Sequence, residues 1–260
     1  MAKKLGIEDK REVMKSAADD VISDYQQGLP QPPLEKQCTG SKIISLTKDF
    51  ENVIKNNDYV SLLNARTSRR KYSEDALTEG ELAFLLWATQ GVKKVIGNQK
   101  KATMRTVPSA GARHPLETYL FINRVDGLEP GLYHYLALSH ELEFKGPVEN
   151  QVAKVSEAFR GQSFFANAAV GFIWTVLPYR SEWRYGLAAQ KYAMIDVGHV
   201  CQNLYFASEA IGCGTCAIGS YDQALADGLL GLDSAPSSGK DNEFVIYAAS
   251  VGRIFNNALD

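Results

Sequence analysis

The sequence has little of what would mark a secreted, membrane or nucleic-acid-binding chain. Four cysteines in 260 residues are too few for a disulfide framework and fit a reducing compartment. Acidic and basic residues number 30 and 28 and are interspersed, for a net charge of −2. That leaves no field of one sign to hold nucleic acid or an anionic membrane. Met1–Lys15 is polar and charged, unlike the apolar stretch of a secretory signal, and no run approaches the roughly 18 apolar residues of a membrane span. A soluble, cytoplasmic protein is the expectation. Internal repeats, low-complexity tracts, nucleophile elbows, zincin helices and paired-carboxylate motifs are also missing, and no metal site is expected.

What is present is enough apolar sequence for one large domain or two small ones. Residues 1–27 carry a weak helical pattern (Val13, Met14, Ala17, Val21, Ile22, Tyr25) that Gly28-Leu-Pro-Gln-Pro-Pro33 stops, so 1–57 reads as an appended arm and 58–260 as the main domain. Residues 34–57 carry no pattern that decides their structure. Thr78-Glu-Gly-Glu81 has the form of a capping box, and the apolar positions after it predict a helix ending at Gly91. Val92–Met104, with four lysines, reads as an exposed loop. Leu116–Ile122 predicts a buried strand, Leu132–Leu138 and Glu141–Phe144 a hairpin, Gln151–Phe159 a short helix and Ala166–Val176 another buried strand. Tyr179–Gly186 reads as a loop before Gly186–Ile211, the longest apolar-periodic segment and the expected central helix. Cys213–Ser220 reads as a small-residue loop, Asp222–Leu230 as a capped helix and Phe244–Val251 as a closing strand.

Two stretches stand out chemically. Pro108-Ser-Ala-Gly-Ala-Arg113 joins small residues, whose amides can approach a ligand, to a cation, with His114 beside it; an ordinary turn before a core strand reads equally well. Arg66-Thr-Ser-Arg-Arg-Lys-Tyr72 sets four cations and two aliphatic hydroxyls in seven residues. If extended, it places Arg66, Ser68 and Arg70 on one side, where they can converge on a phosphate or carboxylate; a solvated basic turn is the plain alternative. Gly212-Cys-Gly-Thr-Cys-Ala217, with Asp233 downstream, fits a dinucleotide fingerprint by letter, but a long helix precedes it and no βαβ unit is evident. Cys213 and Cys216 read as structural thiols rather than a redox pair or half a zinc site, and His199 and Cys201 point too far apart on a helix to share a metal.

Taken in order, Arg66–Tyr72, Pro108–Glu117, Lys191-Tyr192, Thr215-Cys-Ala-Ile-Gly219 and Gly252-Arg253 resemble the FMN-dependent nitroreductase superfamily. The likeness is closest to its SagB-type branch, related to dehydrogenases that oxidise peptide azolines to azoles. The resemblance implies an α+β fold with a mostly antiparallel sheet flanked by helices, and a homodimer with FMN at its interface. It implies flavin contacts from Arg66, Thr67, Ser68 and Arg70, with Arg66 and Arg253 near the phosphate. Pro108, Ser109, Ala110, Gly111 and Arg113 would contact the flavin from the other subunit, and Ala217, Ile218 and Gly219 would face N5. Lys191 and Tyr192 match a catalytic pair; a Lys and a Tyr on a long helix are otherwise commonly a surface or interface pair. The implied activity is NAD(P)H-dependent reduction of nitro or quinone compounds, or oxidation of a peptide azoline. A flavin-binding protein without turnover and a non-flavin module for another phosphorylated ligand are the remaining alternatives.

Overall fold

A computed structural model of the chain describes residues 6–15, 22–40, 42–232, 239–240 and 242–255. Nine strands and eight α-helices are built from these residues. The elements are α1 (Ile7–Lys15), β1 (Lys42–Ser45), α2 (Tyr59–Ala65), α3 (Glu79–Gln90), β2 (Val92–Ile96), β3 (Ala102–Arg105), β4 (Leu116–Ile122), β5 (Gly131–Leu136), β6 (Glu141–Gly146), α4 (Gln151–Ala158), α5 (Ser163–Ala166), β7 (Val170–Val176), α6 (Tyr179–Tyr185), α7 (Ala189–Ala210), β8 (Cys213–Ile218), α8 (Gln223–Leu229) and β9 (Phe244–Arg253). Of the N-terminal helical pattern, Ala17 and Val21 lie outside the described residues, as does Asp233.

Seven strands form one sheet in the order β1-β6-β5-β4-β7-β9-β8, with antiparallel pairing at each step. Every residue of β4 is buried, because helices cover both faces of the sheet. Leu116, Leu120 and Ile122 join the core under α3 and α7, while Tyr119 and Phe121 alternate to the opposite core under α4, α5 and α8. Side chains such as Phe172 and Phe159, fully buried on the two faces, contribute about 1.5–3 kcal/mol each. The fold is α+β, a large antiparallel sheet flanked by helices.

Local chemistry explains the helix starts. The Thr78 hydroxyl accepts from the Glu81 amide at 3.2 Å, and the Glu81 carboxylate accepts from the Thr78 amide at 2.9 Å, so the capping box is formed. Asp58 caps α2 and Asp222 caps α8 in the same way. Part of the stretch read as an arm joins the sheet: β1 pairs with β6 as its edge strand.

Three segments expected to be loops are regular. Val92–Ile96 and Ala102–Arg105 pair as a hairpin, since β-branched Val92, Val95, Ile96 and Thr103 favour strand and the lysines lie on its exposed faces. Tyr179–Tyr185 is helical. Cys213–Ile218 is an edge strand, and its small residues serve close approach. Gly214 lies opposite Gly252 across the β8–β9 ladder, and a Cβ on either would meet Arg69 or Tyr72 at about 2.5–2.6 Å. Two facing glycines thus let the cationic segment lie against the sheet edge.

Candidate functional site

α2 ends at Ala65 and the chain leaves it extended. Ser68 bridges to Thr215, and the Arg69 amide donates to the Thr215 carbonyl at 2.9 Å. Side chains then alternate. Arg69 turns to Glu209, 3.3 Å away, while the Arg66 guanidinium lies 5.4 Å from the centre of the Tyr205 ring. The Ser68 hydroxyl is 2.9 Å from that of Tyr205. Arg70 reaches over the Phe164 ring at 5.8 Å and beside the Cys216 thiol. Thr67, Ser68, Arg69, Arg70 and Lys71, with Ile254 and Phe255, line a groove of about 320 Å³ that contains no carboxylate. The Ala217 amide, one of those expected to face a ligand, donates to the Tyr205 hydroxyl at 2.9 Å. Gly219 is exposed just past the end of the strand.

The small-residue loop is a second polar segment. Ala110–Ala112 form a 3₁₀ turn, and Asp196 of α7 accepts from the Ser109 hydroxyl at 2.6 Å and the Ala110 amide at 3.4 Å. Gly111, Ala112 and His114 all have φ between +45° and +55°, a costly run for the two non-glycine residues. The Tyr185 hydroxyl occupies the place a Cβ on Gly111 would take. The Tyr185 ring meets that of Tyr192 edge-on at 5.0 Å, and the Lys191 ammonium lies 5.8 Å from the Tyr192 ring centre. Lys191 and Tyr192 therefore belong with this loop. Pro108 is exposed just ahead of the loop.

Both segments are anchored by α7. Asp196 and Tyr205 are nine residues apart, about 13 Å along the axis and about half a turn around it, so the two anchors face opposite sides of the helix.

Two cations expected at the ligand are held by partners within the chain. Arg253 donates to both oxygens of the buried Glu81 carboxylate at 2.8 Å and to the Ala76 carbonyl at 3.2 Å. A buried carboxylate needs that partner, which is why the last strand's arginine joins α3. Arg113 is buried, donates to the carbonyls of Gly111 and Lys101 at 3.1 Å and lies 5.5 Å from the Trp183 ring centre; it braces the loop from behind. Sequence reasoning missed Tyr205, Asp196 and Tyr185. A lone carboxylate among the core-facing positions Ala193, Val197 and Val200 was the available signal for Asp196.

The cysteines are free thiols. Burial pushes Cys213 up to about 12 and raises Cys216, which Arg70 only partly offsets. Cys213 and Cys216, three apart on β8, point to opposite faces of the strand. His114 is buried, with a ring nitrogen 3.1 Å from the Thr103 carbonyl, and burial and Arg105 push its pKa down to about 3.

The donor set suits FMN. Arg70 and the Ser68 hydroxyl line the groove without carboxylates, and Arg66 lies at the Tyr205 ring beside Ser68, a set that matches an anionic phosphate-bearing ligand; Gly111, exposed and without a side chain, offers backbone on its solvent side.

The sequence profile of the Nitroreductase family matches residues 63–253. MJ1384, a candidate nitroreductase of Methanocaldococcus jannaschii, is 34% identical over 168 residues, 64% of this chain and 81% of that protein. The trifolitoxin-processing protein TfxB of Rhizobium leguminosarum bv. trifolii is 29% identical over 133 residues, half of this chain. This chain spans 36% of TfxB. Among solved structures, a candidate nitroreductase of Ralstonia eutropha JMP134 superposes with a TM-score of 0.64 at 20% identity, covering 88% of this chain and 98% of its own. The E. coli microcin synthetase McbBCD complex, with truncated pro-MccB17 bound, gives a TM-score of 0.58 at 17% identity over 81% of this chain and 79% of its own. With its fold, its ordered motifs and a family profile spanning most of its length, the chain belongs to the nitroreductase family and is an FMN-dependent oxidoreductase of that family.

Proposed function

We propose that the chain reduces nitro- or quinone-type compounds at the expense of NAD(P)H, by a ping-pong reaction in which both substrates use one face of the cofactor. The observation that carries this reading is the anchoring of two ligand-facing segments on opposite sides of α7. One chain does not present both segments to one point, whereas two copies related by a two-fold axis can. Exposed apolar residues on α7 (Met194, Ile195), Leu187 just before it, and Tyr59, Val60 and Leu63 on α2 give a second copy a surface to cover. The four free thiols suit a cytoplasmic setting.

Bound FMN would supply hydride exchange at N5. Arg66, Thr67, Ser68 and Arg70 would hold its anionic phosphate-bearing side through charge-assisted hydrogen bonds. Ser109, Ala110 and Gly111 of the second copy would present backbone to it, as would Gly219 and the backbone of Ile218, whose side chain is buried in the core. The Ala217 amide, taken by Tyr205, acts as scaffold. Lys191 and Tyr192 stand beside the Gly111 loop, where an ammonium and a phenol can give or take the proton that accompanies a hydride.

That pair favours a second reading, oxidation of a peptide azoline, in which a ring proton must leave along with the hydride. The likeness to TfxB and to a subunit of the microcin synthetase complex points the same way. Anaerobic mixing of the FMN-loaded protein with NADH and with NADPH tests the first reading. The yellow colour should bleach and return on adding a nitroaromatic or a benzoquinone. If neither nicotinamide bleaches it and air fails to reoxidise chemically reduced protein, a non-catalytic flavin carrier is the better description. Lys191→Ala should abolish turnover of a thiazoline peptide and spare nitroreduction; equal losses of both would remove the second reading.

A further inference from the structure

We infer that Tyr205 is a positioning residue that turns the Ser68 hydroxyl into a fixed, outward donor for FMN. This rests on the FMN reading above. Tyr205 is buried on α7, and its hydroxyl touches two of the segments that reading brings to the cofactor. The Ala217 amide can only donate, so the Tyr205 oxygen accepts from it at 2.9 Å. Among the described residues the phenol proton then has one acceptor to go to, the Ser68 oxygen at 2.9 Å. Donating there satisfies the phenol and leaves the Ser68 proton pointing away from Tyr205. Ser68 is exposed, so that proton is offered to whatever binds the groove. The same ring supports the Arg66 guanidinium from its face at 5.4 Å, aligning a cation beside the donor. A single buried phenol thus orders an amide, a hydroxyl and a guanidinium that lie in two separate segments. The group it prepares for is an acceptor oxygen of the cofactor, and the chain amide–phenol–serine strengthens the last donor by polarising it.

Titration of the full chain with FMN, followed by flavin fluorescence, tests this on the parent, Tyr205→Phe, Ser68→Ala, Ser68→Thr and the Tyr205→Phe/Ser68→Ala double variant. Tyr205→Phe keeps the ring beneath Arg66 and removes only the hydroxyl. Each hydroxyl deletion should raise the FMN dissociation constant about tenfold, Ser68→Thr should restore it, and the double variant should bind no worse than either single one. Both single deletions should also shift the bound flavin's visible band alike, a signature that a general loosening of the fold would not give. Should Tyr205→Phe fold poorly, Ser68→Ala still puts the inference at risk, since Ser68 is on the surface and parental affinity there overturns it. Parental affinity in Tyr205→Phe or in Ser68→Ala, or losses that simply add, overturns the inference while leaving the FMN reading intact. A parent protein that takes up no FMN overturns both.

Discussion

Gly111 shows what the site demands of a single residue. Its φ is +55° and the Tyr185 hydroxyl fills its Cβ position, so Gly111→Ala must displace the loop or the tyrosine. The substitution should cost about 1–3 kcal/mol in urea unfolding and weaken FMN uptake, with unchanged far-UV circular dichroism. Asp196→Ala leaves the Ser109 hydroxyl and the Ala110 amide without their acceptor and should cost about 1–3 kcal/mol by the same measurement. Residues with unusual local composition were legible in the sequence: Arg66, Ser68 and Gly111 stand in stretches with no ordinary structural pattern. Asp196 and Tyr205 were not, because a polar side chain inside an apolar-periodic helix looks like a tolerated exception until the fold supplies its partners. Arg253 and Arg113 show the converse. The sequence marks each as a cation near a ligand-binding motif, and the structure adds the protein groups that hold them, the Glu81 carboxylate and the Gly111 and Lys101 carbonyls.

Among the elements, α3 depends on a terminus that the sequence spells out. Thr78→Ala removes one half of the capping box and should lower stability by about 1 kcal/mol. Glu81→Ala should cost more, about 3–5 kcal/mol, because the same carboxylate also pairs with Arg253. Urea midpoints for the two variants and for Arg253→Ala check the ranking; equal losses for Thr78→Ala and Glu81→Ala would mean that the Arg253 pair is worth nothing. Capped helices such as α3 and α8, the long apolar-periodic α7 and strands rich in β-favouring residues such as β4 and β7 could be read directly. The β2–β3 hairpin could not, since its lysines resemble loop residues. β8 was equally hidden: its glycine and cysteines look like punctuation, whereas Gly214 and the facing Gly252 of β9 let Arg69 and Tyr72 pack against the ladder.

At the scale of the whole molecule, a buried ionic network ties the N-terminal segment to the sheet. His134 bonds Glu117 at 2.9 Å and Glu143 at 3.2 Å through its two ring nitrogens. Glu117 in turn takes Arg180 and the Lys36 amide, and Glu143 takes the Thr39 and Gly40 amides and Lys145. Burial alone would lower the His134 pKa, but the two carboxylates outweigh it and hold it above its usual 6.5. Its contribution is therefore full below about pH 6.5 and is lost as pH rises through the raised value. Glu117 and Glu143 are held well below 4.5, against the effect of burial, mainly by Arg180 and His134 for the first and the Thr39 and Gly40 amides for the second; their share is lost as pH falls below about 4.5. His114, pushed down to about 3, removes stability as pH falls from about 6.5 towards 3. Thermal midpoints should thus peak slightly on the acid side of neutrality. His134→Gln should flatten the alkaline limb and His114→Gln the upper part of the acid limb.

The fold and the order of its motifs were visible in the sequence at this scale, but the anchoring of the two polar segments on opposite sides of one helix was not, since it depends on rotation about α7. That placement is the central claim, and sedimentation velocity of the purified chain with added FMN, followed at the flavin's visible band, tests it most directly. Flavin that sediments with a species of twice the chain mass, at one FMN per chain, is the predicted result. Flavin left in the small-molecule boundary, or carried by a species of single-chain mass with undiminished affinity, would contradict it.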